Sequence, residues 1–382
     1  MQQTMQTDNT SGAGERSATE LFFSLIRCGI GNEKALSYTP TPEQWHELFD
    51  IAKKQTLAGI AFAGIKELPQ EQRPPKEILL QWFQLSNIIQ KKNAGLNRKS
   101  AFVAERFLRD GFRNCILKGQ GAAQLYPDPT LRTPGDIDIW LEGGHEKVLT
   151  YVKKYINNCD PTYHHVDFPI TPDLDIEIHY RPTWMYNPFA DKRMQAYFDG
   201  QADEQFCNTV HTAEGNFNAP TATFNRIYML LHIYRHLFYE GIGMRQLLDY
   251  YFVMKQGMTD KEKELYRNTT REFGIERFAG AVMYVMQHMF HLDCSQMPVE
   301  PNTRHGNFLL REVMLAGNFG KHDTRYIQNE GIFPKLFNNT RRLLTLMWYY
   351  PQEALWIPYF KLWHWFWRRW NRKERYKSDN AG

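Results

Sequence analysis

The apolar positions of the first hundred residues follow the spacing of α-helices. Over 76–108 the apolar side chains recur every three or four residues, as they do along one face of a helix. Thr41 and Gln44 predict a capping box at the start of another helix, which the proline between them favours. We therefore predict a disordered lead-in over residues 1–16 and an N-terminal helical region over 17–110.

The pattern then changes to short apolar or alternating segments, which are typical of strands. These segments lie at the following positions: 114–117, 136–141, 163–170 and 174–180. A turn at 171–173 would join the last two strands into a hairpin. Short helices are predicted between the strands, so residues 111–215 form an α/β block.

From residue 223 onwards the apolar spacing is helical again. We predict a C-terminal helical domain over 216–342 and a separate tail over 343–382. The whole chain is therefore expected to be an α+β protein, with its sheet between N-terminal and C-terminal helical regions.

The composition excludes several classes of protein. The formal net charge of +4 over 382 residues is too small for a protein that binds nucleic acid over its whole surface. Five widely spaced cysteines without a C-x-x-C pair argue against a disulfide framework and against a structural zinc site. We expect no disulfide partner, and we expect a cytoplasmic protein that could also contact a membrane surface.

The excess charge and the tryptophans are concentrated in the tail. Six of the ten tryptophans lie in the last 35 residues, and residues 361–382 carry seven basic against two acidic residues. Lys361, His364, Arg368 and Arg372 form a narrow polar stripe at helical spacing. Such a helix over 355–376 could lie in a membrane interface, or it could dock on the body with its arginines exposed. Charged residues and prolines interrupt every long apolar run, so no spanning helix is predicted.

Acidic residues repeat at a spacing of two on two of the predicted strands. Asp136 and Asp138 lie on one strand, and Asp175, Glu177 and His179 lie on a later one. Side chains two residues apart on a strand point to the same face. Clustered carboxylates require a neutralising cation, and Mg²⁺ binds such groups together with phosphates. The alternative is that two half-exposed strands simply have an acidic face.

The segment that follows the first strand could bind phosphate. Lys118 and Gly119 lie between this strand and a short helix, where exposed amides favour anions and glycine allows close approach. Lys118 and Arg132 could add charged hydrogen bonds to phosphate oxygens. As isolated residues, both could equally be surface charges.

These segments together match a known family. They are Ile116-Leu117-Lys118-Gly119, Arg132, Asp136-Ile137-Asp138-Ile139, Ile176-Glu177-Ile178-His179-Tyr180-Arg181 and Gly243-x-Arg245. With them the chain resembles the bacterial uncharacterised nucleotidyltransferase family, within the polymerase-beta-like superfamily, over about 20–290. The resemblance implies a small mixed sheet with flanking helices and a helical partner domain. It also implies two Mg²⁺ ions and transfer of a nucleoside monophosphate from an NTP to an acceptor.

The resemblance also assigns roles to residues. Asp136 and Asp138 are similar to the family's metal-binding pair. Glu177 is similar to the third carboxylate, which also holds metal and can activate the acceptor hydroxyl, and Asp175 is the competing candidate. Six residues are expected to contact substrate: Lys118, Gly119, Gln120, Arg132, His179 and Arg245.

Three features leave alternatives open. Gln120 replaces the serine or glycine usual in the superfamily, so the chain could be a catalytically degenerate module that binds nucleotide or docks a partner, with a membrane-surface tail. His164 and His165 with His179 could form a three-histidine site or be half-buried strand residues. Arg245 could pair with Asp249, four residues later, or contact the nucleotide. The acceptor itself is not identified.

Overall fold

A four-stranded sheet lies at the centre of the chain. The structure is a computed structural model, which describes residues 10–156, 159–169, 175–239, 241–316 and 332–378. Its strands are β1 Asn114–Leu117, β2 Ile137–Leu141, β3 His165–Asp167 and β4 Ile176–His179. Their spatial order is β1-β2-β4-β3, with β2 and β4 parallel and the two outer pairings antiparallel. The α+β class with a small mixed sheet and flanking helices is confirmed.

The register of the sheet aligns the predicted acidic positions in rows. Asp138 on β2 lies opposite Glu177 on β4, and Trp140 lies opposite His179. His165 on β3 lies on the other side of His179. Because side chains alternate between the faces of a strand, these five residues share one face of the sheet.

The opposite face of the sheet is apolar. Its isoleucines and valine are fully buried and pack against the C-terminal half of α4 and against α6: Ile137, Ile139, Ile176, Ile178 and Val166. At about 25 cal/mol per Å² of apolar surface removed from water, this burial anchors both acidic strands. The predicted alternation of isoleucine and acid is therefore confirmed.

The helices of the first two thirds of the chain surround this sheet. They are α1 Thr10–Gly29, α2 Pro42–Lys54, α3 Ala58–Glu67, α4 Lys76–Arg109, α5 Gly119–Ala123, α6 Gly144–Val152, α7 Pro188–Asp199 and α8 Ala202–Gln205. The capping box is confirmed, with the Thr41 hydroxyl accepting from the Gln44 amide at 3.3 Å. α1 begins within the segment for which a disordered lead-in was predicted, whereas residues 1–9 lie outside the described residues.

The remaining helices form the C-terminal part. They are α9 Ala222–Tyr239, α10 Met244–Lys255, α11 Asp260–Glu272, α12 Glu276–Phe290, α13 Thr303–Ala316, α14 Ile332–Tyr349, α15 Pro351–Ala354 and α16 Ile357–Ser378. α9 covers the polar face of the sheet, where Phe224 stacks on Trp140 with ring centroids 5.9 Å apart. None of the described helices is both long enough and apolar enough to cross a membrane.

Some elements differ from the predicted ones. β3 and β4 are shorter than the predicted strands, and the predicted turn at 171–173 lies outside the described residues. A hairpin of β5 Thr209–Thr212 and β6 Gly215–Asn218 was not predicted, because its residues are mostly polar and half-exposed. Buried Phe217 packs this hairpin against the sheet cluster. The hairpin crosses the boundary predicted at residue 215, and the domain boundaries remain predictions.

The tail docks on the body through aromatic rings. Phe360 of α16 stacks on Trp184 with centroids 4.3 Å apart and planes 9° apart. Two further tryptophans of this helix contact Tyr163 and His145. Ahead of α16, the buried carboxylate of Glu353 accepts hydrogen bonds from the backbone amides of Tyr186 and Asn187. The docked arrangement expected as one alternative for the tail is therefore the one present.

Candidate active site

A cavity of about 930 Å³ lies between the polar face of the sheet and helices α9, α10 and α16. The acidic residues of β2 and β4 form its floor, and basic and aromatic side chains form its other walls. Polar groups that converge in one large pocket mark the default position for a binding or catalytic site. The predicted site residues can therefore be placed relative to this cavity.

Three predicted metal ligands come together at the floor of the cavity. Asp136, Asp138 and Glu177 each offer a carboxylate oxygen, and these oxygens lie within 4.8 Å of one another. Asp138 is buried, Glu177 is half-buried and Asp136, just before β2, is exposed. The parallel pairing of β2 with β4 brings Asp138 beside Glu177. Oxygen donors at this spacing are the ligand set that Mg²⁺ takes in proteins.

Lys118 balances part of this negative charge. Its Nζ lies 2.8 Å from Asp138 Oδ1, although the residue is at the end of the neighbouring strand. Its backbone φ is +43°, and Gly119 follows at +42°. A lysine in the left-handed region is strained by roughly 1 kcal/mol or more. This turn after β1 directs the lysine back over the sheet.

The electrostatics distinguish the two aspartates of β2. Burial opposes ionisation of Asp138, but the Lys118 ammonium and the His179 imidazole outweigh it and hold its pKa below the ordinary range. Repulsion from Asp138 and then burial raise the pKa of Asp136. The pKa values of the two neighbouring carboxyl groups are therefore shifted in opposite directions, because only Asp138 is in contact with Lys118 and His179.

The histidines of β3 and β4 lie beside the acids. His179 Nε2 is 2.9 Å from Asp138 Oδ1, and hydrogen bonds to Asp138 and Glu177 raise the pKa of His179 although burial opposes this. Burial and repulsion from His179 lower the pKa of His165 to about 4. His164 Nε2 lies 2.7 Å from Nη1 of Arg235. His165 and His179 thus group with Glu177, whereas His164 is bonded to Arg235 and lies outside both groups of potential metal ligands among the described residues.

The two predicted arginines line the cavity in different ways. Arg132 makes two hydrogen bonds to Asp249, at 2.7 and 2.8 Å, and Tyr126 donates a third at 2.6 Å. Arg245 donates to the Thr133 carbonyl at 2.8 Å, and its buried Nε has no hydrogen-bond partner within the part of the chain that the structure describes. The ion pair of Asp249 is thus with Arg132, whereas Arg245 is the guanidinium with unused donors.

Two predicted site residues lie away from this group. Gln120 is buried, and its side-chain amide donates to Asn97 and, at 3.4 Å, to Asn93 of α4. Asp175 is exposed ahead of β4, where its carbonyl accepts from the Ile137 amide at 3.0 Å. Neither residue is among those that line the cavity. Gly119 lines it, and His179 lies directly behind Asp138.

Sequence reasoning missed most of the other walls. Arg235 of α9 and the side chains of Lys361, His364, Arg368 and Arg369 of α16 line the cavity. Part of the signal was present, because the polar stripe of the tail contains three of these residues. The direction in which this stripe faces depends on how α16 docks on the body, and helical periodicity alone does not determine that docking.

The donor set can be tested against a metal ion. Carboxylate oxygens converge from two strands, and Lys118 already contacts one of them as a cation would. The residues present therefore fit a divalent cation, with Asp136, Asp138 and Glu177 as its protein ligands.

A protein-family comparison agrees with this geometry. The family model described as uncharacterised nucleotidyltransferase matches residues 41–291. The chain belongs to this family. The matched region contains every site residue named above except those of α16. No curated protein and no solved structure matches the chain.

Membership in this family supports nucleotidyl transfer as the activity and an NTP as the substrate. The three carboxylates, Lys118 and Arg245 all lie inside the matched region. α16 lies outside it. The floor of the cavity therefore lies within the matched region, while its outer wall comes from a segment beyond the match.

Proposed function

We propose that this protein is a Mg²⁺-dependent nucleotidyltransferase that moves a nucleoside monophosphate from an NTP to a hydroxyl acceptor. The observation that carries the proposal is the convergence of Asp136, Asp138 and Glu177 on one wall of a large cavity. The membership in a nucleotidyltransferase family supports the same reaction class. This proposal includes two further implications of the resemblance: membership in the polymerase-beta-like superfamily and a bacterial origin.

Asp136, Asp138 and Glu177 would hold the metal, and two ions are expected. The bound ions would supply charge stabilisation for the attacking and leaving oxygens of an in-line displacement. Arg245 contributes a buried guanidinium with an unpartnered Nε, and burial followed by repulsion from Arg132 lowers its pKa. A desolvated cation of this kind gains from an incoming phosphate. Lys118 is the second candidate for a phosphate contact.

The reaction forms one bond and breaks one bond. The acceptor oxygen attacks the α-phosphorus, and the bond from this phosphorus to the bridging oxygen of the β-phosphate breaks. Pyrophosphate leaves with the electron pair. Glu177, which lines the cavity, accepts or orients the proton of the acceptor hydroxyl. Asp175 is less favoured for this role because it lies outside the cavity lining.

The test of this proposal uses the full-length chain and NTP labelled on the α-phosphate. We expect Mg²⁺-dependent NTP binding and label transferred to a component of RNA, protein or metabolite extracts. Asp138→Ala should abolish the transfer, whereas Glu105→Gln, a change in an exposed carboxylate of α4, should not. The nucleotidyltransferase proposal would be refuted if the wild type showed no Mg²⁺-dependent NTP binding and Asp138→Ala left the labelling unchanged. Tight binding without transfer would instead support the degenerate nucleotide-binding or partner-docking module.

We also propose that α16 contacts a membrane surface with the face that does not dock on the body. Five large apolar residues along this region are each more than half exposed: Leu355, Tyr359, Leu362, Phe366 and Trp370. They recur at intervals of three or four residues and therefore form one stripe. Exposed Lys361 and Arg369 flank the stripe. Aromatic residues bordered by cations are typical of helices in an anionic membrane interface.

Flotation with vesicles tests this second proposal. The full-length chain should float with vesicles that contain anionic lipid. A Leu362→Ser, Phe366→Ser double variant should float several-fold less. Leu265→Ser, a change in an exposed leucine on α11, serves as the matched control. Equal flotation of the double variant and the wild type would remove the membrane proposal without affecting the nucleotidyltransferase proposal.

A further inference from the structure

A second group of ligand atoms lies beside the three carboxylates. His165, Glu177 and His179 each offer one atom, and these atoms lie within 4.8 Å of one another. We propose that these three side chains, with Asp138 beside them, bind a divalent transition-metal ion at a mixed nitrogen and oxygen site. The proposal deepens the proposed active site, with which it shares Glu177, but it does not depend on nucleotidyl transfer.

The orientation of His179 is the first argument. Its Nδ1 lies 3.3 Å from the carbonyl oxygen of Arg181, so this nitrogen carries the proton and donates. In the neutral ring Nε2 then has a lone pair, which faces Asp138 Oδ1 at 2.9 Å and Glu177 Oε2 at 3.4 Å. A lone pair that faces two carboxylate oxygens requires a positive atom between them. A proton or a metal ion can fill this role.

His165 approaches the same carboxylates from the neighbouring strand. Its Nδ1 lies 3.5 Å from Glu177 Oε2, and its Nε2 faces the exposed carboxylate of Asp167 at 3.9 Å. The Nε2 of His164 accepts from the guanidinium of Arg235 and lies 3.0 Å from His165 Nδ1, so His165 Nδ1 carries a proton in this structure. A metal ion bound at Nδ1 would displace this proton, and the ring would then be protonated at Nε2, which faces outwards.

Both histidines thus have the surroundings of metal ligands. Histidines that bind metal usually direct their second ring nitrogen to a backbone carbonyl or a carboxylate, which fixes the tautomer. Here the carbonyl belongs to Arg181 and the carboxylate to Asp167. The register of the sheet holds the two rings side by side, because His165 pairs directly with His179.

The donor atoms also separate the two groups chemically. The group of Asp136, Asp138 and Glu177 contains oxygen donors, which suit Mg²⁺. The second group contains two imidazole nitrogens, which favour zinc, copper, iron or nickel over magnesium. Glu177 belongs to both groups and would bridge two ions. The geometry therefore points to an asymmetric pair in which one position accepts a transition metal.

Electron paramagnetic resonance with Cu²⁺ as the probe, and with Mg²⁺ present throughout, tests this proposal directly. The wild-type chain should show hyperfine coupling to ¹⁴N of coordinated imidazole. His165→Ala and His179→Ala should each reduce it, and the double variant should lack it. Asp136→Ala should retain the nitrogen signal because Asp136 belongs only to the oxygen group. His211→Ala, which removes an exposed histidine of the separate β5–β6 hairpin, should also retain it.

A zinc titration by calorimetry gives an independent readout. We expect His165→Ala to weaken Zn²⁺ binding at least about tenfold, with Mg²⁺ present throughout. His165 is only half-buried, so this variant keeps the test valid if His179→Ala does not fold. Cu²⁺ coordinated by oxygen alone in the wild type would overturn the proposal, as would Zn²⁺ affinity unchanged by His165→Ala. Neither readout requires NTP or turnover, so a failed transfer assay leaves both tests intact.

Discussion

The floor and the outer wall of the cavity are built by different kinds of sequence. The floor consists of short strands whose acids are fixed by pairing with neighbouring strands and anchored by buried isoleucines. The outer wall is one face of α16, whose cations are half-buried or exposed and whose docking depends on aromatic stacking. The floor lies within the family match and the wall lies beyond it. We therefore propose that the floor performs the chemistry and that the wall determines what reaches it.

The largest expected effect concerns the floor. Asp138→Asn keeps the size of the side chain but removes a buried ligand charge. Because metal-assisted stabilisation of phosphoryl transfer is worth several kcal/mol, we expect transfer to fall about 10³-fold. Steady-state kinetics with α-labelled NTP measures this effect. A reduction smaller than tenfold would show that the acidic floor of the cavity does not carry out the catalysis.

The next effect concerns the cation that stands in for metal. Lys118→Met leaves the buried Asp138 without its close partner, and breaking a buried pair in this way costs about 3 kcal/mol. The free energy of unfolding, measured in urea, should fall by about this amount. Mg²⁺ should raise it by more in the variant than in the wild type. Lys92→Met, a change in an exposed lysine of α4, is the control. If Mg²⁺ stabilises both proteins equally, the lysine does not occupy a metal position.

A smaller effect concerns the attachment of the outer wall. Burial raises the pKa of Glu353 to about 8. The folded chain therefore keeps a proton that the unfolded chain loses near pH 4.5, and the stability present below that pH falls as pH rises through 8. The free energy of unfolding should fall by at least about 1 kcal/mol between pH 5 and pH 8, as measured by urea denaturation. Glu353→Gln should flatten this dependence, and an unchanged slope would show that another group causes it.

The smallest effect concerns the exposed cations of the outer wall. Lys361→Ala with Arg369→Ala should raise KM about fivefold and leave kcat nearly unchanged, because exposed charges contribute about 1 kcal/mol. The same variant should keep its Mg²⁺ dependence. A change in kcat as large as that of Asp138→Asn would contradict the division of roles between the two walls.

The sequence predicts the floor well for a definite physical reason. Two-residue spacing places Asp136 with Asp138 and Glu177 with His179 on single faces, and alternating isoleucines determine which face is buried. It does not predict that β2 and β4 are parallel neighbours, since pairing is a long-range property. The resemblance to the family implied a small mixed sheet but not this pairing.

Polar partners that are distant in sequence were harder to predict. Four-residue spacing suggested Arg245 as the partner of Asp249, yet the fold gives Asp249 to Arg132 in a two-bond geometry. Gln120 follows the predicted phosphate loop directly but faces Asn97 of α4. In both cases spacing identifies residues that could interact, whereas packing between distant helices and loops selects the actual partner.

The most direct test of the central claim is a crystal structure of the full-length chain with Mg²⁺ and a non-hydrolysable NTP. The account predicts metal held by Asp136, Asp138 and Glu177, with these carboxylates converging at the α-phosphate and Arg245 on a phosphate oxygen. A nucleotide bound elsewhere, or bound in the cavity without metal on these carboxylates, would contradict it.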